Sequence, residues 1–199
     1  MKTFANHTDE ELALLYIAGD NKAFDELLAR NQQQLFNYIF FVVGDYEVAN
    51  DIFQDTFIKI IVKLQEGKYT DSGKFFFWLT RIAHNVIMDQ YRRQKSEHII
   101  EPNKENDLSQ LRTDTLTEGN RENEFVNTQI MDDVRHLMDS LPATQREVVY
   151  MRYYQDLSFK EIAEITGVSI NTSLGRMRYA LINMRRMAKQ HNIFLNLEL

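Results

Sequence analysis

Leu157-Ser158-Phe159-Lys160-Glu161-Ile162-Ala163-Glu164-Ile165-Thr166-Gly167-Val168-Ser169 is the stretch on which the reading of this chain turns. Ser158 and Glu161 stand three apart, the spacing of a capping box that starts a helix. Ile162, Ala163 and Ile165 make the inner face of two helical turns. Thr166-Gly167-Val168 is a tight turn in which Gly167 can take a positive φ without steric cost. Ser169 caps a second helix, along which Ile170, Leu174, Met177, Leu181, Met184 and Ala188 recur at steps of four and three. Small residues at 163, 167 and 169 allow two crossed helices to pack closely, which makes a helix-turn-helix. Its second helix would turn Asn171, Thr172, Leu174, Gly175, Arg176, Arg178 and Tyr179 toward a major groove. The plainer alternative is a capped helical hairpin with a solvated basic face. Upstream, Leu141-Pro142-Ala143-Thr144-Gln145 opens another helix whose Val148, Val149 and Met151 supply a scaffold for the motif.

The rest of the composition agrees with helices. Average usage would place ~14 Gly and ~10 Pro in a chain of this length, whereas the 199 residues hold 7 and 2. A sheet-rich fold with many tight turns needs more of both. The absence of cysteine excludes disulfides, thiolate zinc sites and cysteine nucleophiles, and suits a reducing cytoplasm. Apolar runs such as Ile39–Val43 fall far short of the ~18 residues of a membrane helix, and no signal-peptide stretch precedes Asp9-Glu10-Glu11. A membrane or secreted protein is therefore not expected. The net charge of −6 is unevenly spread. Residues 1–95 carry 11 basic and 13 acidic side chains, residues 96–140 carry 4 and 11, and residues 141–199 carry 8 and 5. Arg176, Arg178, Arg185, Arg186 and Lys189 meet no acid between Thr172 and Gln190. Such a local stripe governs contact with phosphates even where the whole-molecule field does not attract them.

Helical periodicity dominates the first 95 residues. Leu12, Leu15 and Tyr16 belong to a short helix closed by Gly19-Asp20; Ala23, Leu27, Leu28, Leu35 and Phe36 carry a second toward Gly44. Asp45 is the expected N-cap of a third, with Ala49, Ile52, Phe53, Phe57, Ile60 and Leu64 at helical spacing. Glu66 to Gly73 reads as a loop, and Lys74 to about Lys95 as a fourth helix. On it Phe75, Trp78, Leu79 and Ile82 read as core, while Phe77, Arg81, His84, Asn85, Met88 and Arg92 form a face that is polar, basic and aromatic together. Residues 97–124, rich in acid and without apolar period, read as a linker. The expectation is an all-α protein of two small helical domains, 1–96 and 125–199, joined by this acidic linker.

Three stretches of the first domain carry a resemblance. Gly19-Asp20-Asn21-Lys22-Ala23-Phe24, Ala49-Asn50-Asp51-Ile52-Phe53-Gln54-Asp55-Thr56-Phe57, and Phe77-Trp78-Leu79-Thr80-Arg81-Ile82-Ala83-His84-Asn85 followed by Asp89 are similar to the signature helices of extracytoplasmic-function (ECF) sigma factors. The helix-turn-helix with its preceding Leu-Pro falls where that family keeps its second domain. The resemblance implies a promoter-specificity subunit of bacterial RNA polymerase, cytoplasmic, without enzymatic activity or cofactor. It implies as partners core polymerase, through the β′ clamp and β flap, and promoter DNA, with an anti-sigma factor as a further candidate. Domain 1–96 would be region 2, binding polymerase and melting the −10 element, and domain 125–199 region 4, reading the −35 element.

Site residues follow from the same resemblance. Asp51, Gln54 and Asp55 would dock on the β′ clamp; by chemistry alone they are equally a solvated face, with Asp55 and Lys59 as a weak i,i+4 pair. Lys68, Tyr69, Ser72, Lys74, Phe77, Arg81, Asn85, Met88 and Arg92 would engage the −10 element. Bases stack on aromatics, cations track the backbone, and an amide reads a base edge, although Asn85 also fits a structural cap or a solvated residue. The linker, 28 residues at ~3.3 Å each, reaches roughly 90 Å, enough to span two promoter elements about two duplex turns apart, roughly 70 Å.

The recognition helix departs from the family's pattern. Thr172-Ser173-Leu174-Gly175-Arg176 stands where Thr-Val-Lys-Ser-Arg is usual, and Arg178-Tyr179-Ala180-Leu181 lacks the usual run of arginine. Two readings of Leu174 are open: an extension of the apolar stripe of Ile170 and Met177 into the core, or, if exposed, a contact to a T-rich −35 element. Other function classes fare worse. The five histidines have no metal-ligand spacing, and no phosphate loop or nucleophile motif is present. A stand-alone helix-turn-helix regulator is the alternative, and a helical adaptor would require the basic stripe to be incidental.

Overall fold

The computed structural model describes residues 4–69, 73–97 and 136–190. Among the described residues the secondary structure is helical throughout, and the chain forms two compact units divided near residue 100. Ser72, the linker 97–124 beyond its first residue and the expected start of the second domain at Phe125 lie outside the described residues.

Local chemistry sets the ends of the helices in the first unit. Thr8 and Glu11 form a reciprocal capping box at α1 (Asp9–Ile17), with the Glu11 amide donating to Thr8 Oγ1 at 3.2 Å and the Thr8 amide to Glu11 Oε2 at 2.9 Å. Asp20 accepts from the Lys22 amide to open α2 (Asn21–Val43), and Gly44, at φ 78°, closes it in the left-handed conformation that glycine alone adopts cheaply. Asp45 caps α3 (Tyr46–Gln65) as expected, accepting from the Val48 amide at 3.0 Å. The fourth helix, α4, spans Phe75–Glu97.

α2, α3 and α4 pack on one another, and α1 lies against α2 and α3. Leu12, Leu27, Leu35, Ile39, Ile52, Ile60, Leu64, Phe75, Leu79 and Val86 fill the interior. Buried Thr56 and Thr80 satisfy their hydroxyls on the carbonyls four residues back, as a buried hydroxyl in a helix must. Arg30 ties the N-terminal segment to α2, donating to the carbonyls of His7 and Phe4 at 2.8 and 2.9 Å and to Glu26 at 2.8 Å.

In the second unit a helical turn at 136–139 leads to α5 (Ala143–Tyr153), whose Val148, Val149 and Met151 are buried as expected. Arg152 bonds the Leu157 carbonyl at 3.1 Å and lies over the Phe159 ring, which fixes the loop into α6 (Phe159–Thr166). Three residues, Gly167-Val168-Ser169, then turn the chain into α7 (Ile170–Gln190). Both α5 and α6 pack against α7.

The buried line along α7 differs from the expected stripe of Ile170, Leu174, Met177, Leu181, Met184 and Ala188. Inside are Ser173, Met177, Ala180, Met184 and Met187, with Ala188 beside them, while Ile170 and Leu174 are 46% and 44% exposed. The stripe is rotated by about one residue in the first turns. Small Ser173 and Ala180 at the contact let the neighbouring helices approach closely, and apolarity alone had pointed to the wrong side.

Candidate functional site

Three helix faces carry the candidate residues. On α3 the interior takes Ala49, Ile52, Thr56, Ile60 and Leu64, so the opposite side is solvent-facing by helical geometry. Asp51, Gln54 and Asp55 all lie there, exposed, and among the described residues no hydrogen bond or ion pair engages them. The Asp55–Lys59 pair considered from the sequence is absent, because Lys59 turns to Asp89 of α4 at 3.6 Å. The face also extends further than expected. Ile58 and Val62, 60% and 45% exposed, continue the line of Asp51 and Asp55 at helical steps. Their signal in the sequence was that two large apolar residues stood out of phase with the core stripe.

On α4 the positions 77, 81, 85, 88 and 92 fall on one side at steps of four and three. Arg81 and Asn85 are exposed, Phe77 and Met88 half-buried, and Lys74 Nζ lies 6.0 Å from the Phe77 ring centre. Four expectations change. His84 is buried, 5% exposed, so it belongs to the interior side and leaves this face. Tyr69 is likewise buried, its ring edge-on to Phe75 and Trp78 at 5.3 and 5.2 Å, and it anchors the loop before α4 instead of presenting a ring to a base. Arg92 is exposed but already paired with Asp89 at 2.6 Å, which lowers what it can offer a phosphate. Lys68 is similarly held by Glu66 at 2.8 Å.

The start of α4 has an unexpected cap. Glu10, on α1, accepts the Phe75 amide at 3.0 Å. This bond holds the Glu10 carboxyl below the usual carboxylate range, against the opposing effect of burial. The charge sits where the helix dipole favours an anion.

On the helix-turn-helix the expected local chemistry is present. The Glu161 amide donates to Ser158 Oγ at 3.3 Å and the Ser158 amide to Glu161 Oε2 at 2.9 Å. Gly167, at φ 66°, ends α6, and the Val168 amide reaches back to the Ala163 carbonyl at 3.1 Å. The Thr172 amide donates to Ser169 Oγ at 3.0 Å, and the two hydroxyls lie 2.8 Å apart. Thr172 is thus exposed but partly committed to the cap. The outward line of α7 runs Asn171, Leu174, Arg178, Ile182, Arg185 and Lys189, all exposed. Tyr179 flanks it, and Arg176 is half-buried.

Comparison with known proteins gives these faces a context. The family model for sigma-70 region 2 matches residues 27–97, and that for sigma-70 region 4 matches residues 131–174. RNA polymerase sigma factor YlaC of Bacillus subtilis (strain 168) is 30% identical over 175 residues, covering 86% of this chain and 97% of that protein. The chain belongs to the ECF sigma factor family.

ECF sigma factor SigW of the same organism is 24% identical over 86% of the chain and 91% of its own length, and the ECF sigma-E factor of Haemophilus influenzae is 28% identical over 85% and 89%. Two solved structures share the fold at 21% identity. The sigma factor RpoE from Bartonella quintana, solved with the anti-sigma factor NepR, aligns over 84% of this chain and 98% of its own at a TM-score of 0.60. CnrH, solved with the cytosolic domain of CnrY, aligns over 92% and 97% at 0.61. As an ECF sigma factor the chain directs RNA polymerase to promoters for the initiation of transcription. Among the described residues no helix is long and apolar enough to cross a membrane, and no acid and histidine group is arranged to hold a metal.

Proposed function

We propose that the two units divide promoter recognition between them, and that the chain acts in the cytoplasm by binding alone, without a chemical step of its own. Residues 1–96 hold core polymerase through Asp51, Gln54 and Asp55 on the β′ clamp, and engage the −10 element through Phe77, Arg81, Asn85 and Met88, with Lys74 at the loop. Residues 125–199 seat against the β flap and read the −35 element with α7. The acidic linker 97–124 threads the polymerase channels, where its carboxylates take the place of nucleic acid. An anti-sigma factor, of the kind solved with RpoE, is a candidate partner for the free chain.

The observation that carries this reading is the pair of chemically distinct faces within the region 2 match. α3 presents carboxylates and an amide with no side-chain partner among the described residues, whereas α4 presents a cation, an amide and a half-open aromatic ring. A solvated surface has no reason to segregate them so. An acidic face suits a cationic coiled coil, and a cationic aromatic face suits unpaired bases. Charge reversal tests it. The double variant Asp51→Arg, Asp55→Arg should keep the helical spectrum and melting behaviour of the parent while losing core polymerase by roughly 3 kcal/mol or more. Unchanged affinity in pull-down or titration would remove the docking assignment. A stand-alone regulator would show the same indifference and bind its DNA unaided.

A further inference from the structure

The recognition helix puts a large apolar side chain where a reader of DNA would ordinarily carry a donor. Leu174 is 44% exposed, one turn into α7, between exposed Asn171 and Arg178 on the outward line of the helix. Ile170, a turn earlier, is 46% exposed. Neither belongs to the core, which Ser173 and Met177 enter instead. Gly175 stands beside Leu174. Among the described residues a Cβ there would meet nothing within 4 Å, and the backbone is helical, so neither packing nor conformation among them asks for glycine. Glycine is a poor helix former, and its use at this position points to something outside the chain that must come close. The face it belongs to continues into Arg178, Arg185 and Lys189, with no acid between Thr172 and Gln190, and that charge complements a phosphate backbone.

We infer that Leu174 reads the methyl group of a thymine in the major groove of the −35 element, with Gly175 letting the helix backbone approach the base edges. This rests on the reading of α7 as the −35 helix and adds the base that its altered head selects. Leucine has neither donor nor acceptor. Set against guanine it would cover the N7 and O6 acceptors without satisfying either, and a buried unsatisfied acceptor is costly. Set against cytosine it would meet no methyl and would face the amino donor. Thymine alone offers an apolar group on the floor of that groove. Arg178, one turn on, holds the register through phosphate and carries no base information of its own.

The test uses holoenzyme reconstituted from the full chain and core polymerase, on promoters randomised through the −35 region. Selection should return an element with at least one fixed thymine. Replacing that thymine with deoxyuridine, which deletes only the methyl, should weaken binding roughly three- to fivefold, the worth of one buried methyl. With Leu174→Ala the deoxyuridine penalty should vanish, and since the side chain is exposed the variant should melt like the parent. Gly175→Ala should melt no lower than the parent yet bind the selected element more weakly. A fixed element whose thymines tolerate deoxyuridine, or a penalty that survives Leu174→Ala, overturns the inference while leaving α7 as the reader. So does a Leu174→Ala protein that loses affinity for core polymerase and none for DNA, because Leu174 then faces protein. Holoenzyme that initiates with no preference anywhere in the randomised region overturns the −35 reading itself, and this inference with it.

Discussion

Glu10 shows how much one side chain can hold together. It belongs to α1, yet its carboxylate closes the open end of α4 by accepting the Phe75 amide at 3.0 Å, and so joins the first helix to the element that carries the proposed −10 face. Its folded pKa lies below the usual carboxylate value, chiefly through that bond. The stabilisation is therefore complete above the ordinary carboxyl range, and it drains as the pH falls through the lowered folded value. Glu10→Gln keeps an acceptor but removes the charge. Urea melts should show the variant less stable than the parent at about pH 7, with the gap closing toward about pH 3; a gap that is the same at both ends would mean the charge contributes nothing. Tyr69 carries the opposite lesson. The family resemblance makes it a candidate for the −10 element, but its contacts with Phe75 and Trp78 place it inside the fold.

At the scale of the element, the helix-turn-helix is framed by side-chain caps at both its helices. Ser158 and Glu161 satisfy each other's backbone amides at the head of α6, and at the head of α7 Ser169 Oγ accepts the Thr172 amide. α6 has only 8 residues, too short to be stable on its own in water, so its caps and its packing on α7 must sustain it together. Ser158→Ala should lower the stability of the chain by about 1 kcal/mol, read from the denaturant midpoint, and should lower −35-dependent transcription near the melting range. Ser158→Asp, which keeps a capping acceptor, should recover most of the loss. A variant at 158 with unaltered stability would mean that the packing on α7 suffices. The same scale explains the phase of α7. A helix whose contact side uses Ser173 and Ala180 can pack closely, and this turns Leu174 outward.

For the whole molecule the governing quantity is charge. A net −6 accompanies a basic stripe confined to the last helix, so the stripe must compete with repulsion from the remainder at separations shorter than the screening length of ~8 Å in physiological salt. The free chain should therefore bind duplex promoter DNA weakly at ~0.15 M salt, and gain affinity once core polymerase supplies further contacts and engages the acidic segment 97–124. Fluorescence anisotropy on a promoter duplex, with and without core enzyme, measures both states. Tight and specific binding by the free chain would contradict this balance and favour a stand-alone regulator.

Much of this protein was settled by the sequence alone, because the responsible forces act over a few residues. Capping boxes, aspartate N-caps and the left-handed glycines at 44 and 167 depend on neighbours within a turn or two, so the ends of helices could be read directly. The exposure of Asp51, Gln54 and Asp55 follows from the phase of one apolar stripe. Tertiary structure decided whatever depends on which side of a helix meets a neighbour. Ser173 is small and polar and Leu174 is large and apolar, yet close approach of α5 and α6 to α7 buries the first and exposes the second. His84 and Tyr69 are buried once the unit is assembled, Tyr69 against Phe75 and Trp78 at the start of α4, and Glu10 found its partner 65 residues away. Burial is a property of the assembled unit. Periodicity proposes which face is inward, but the fit between helices selects it.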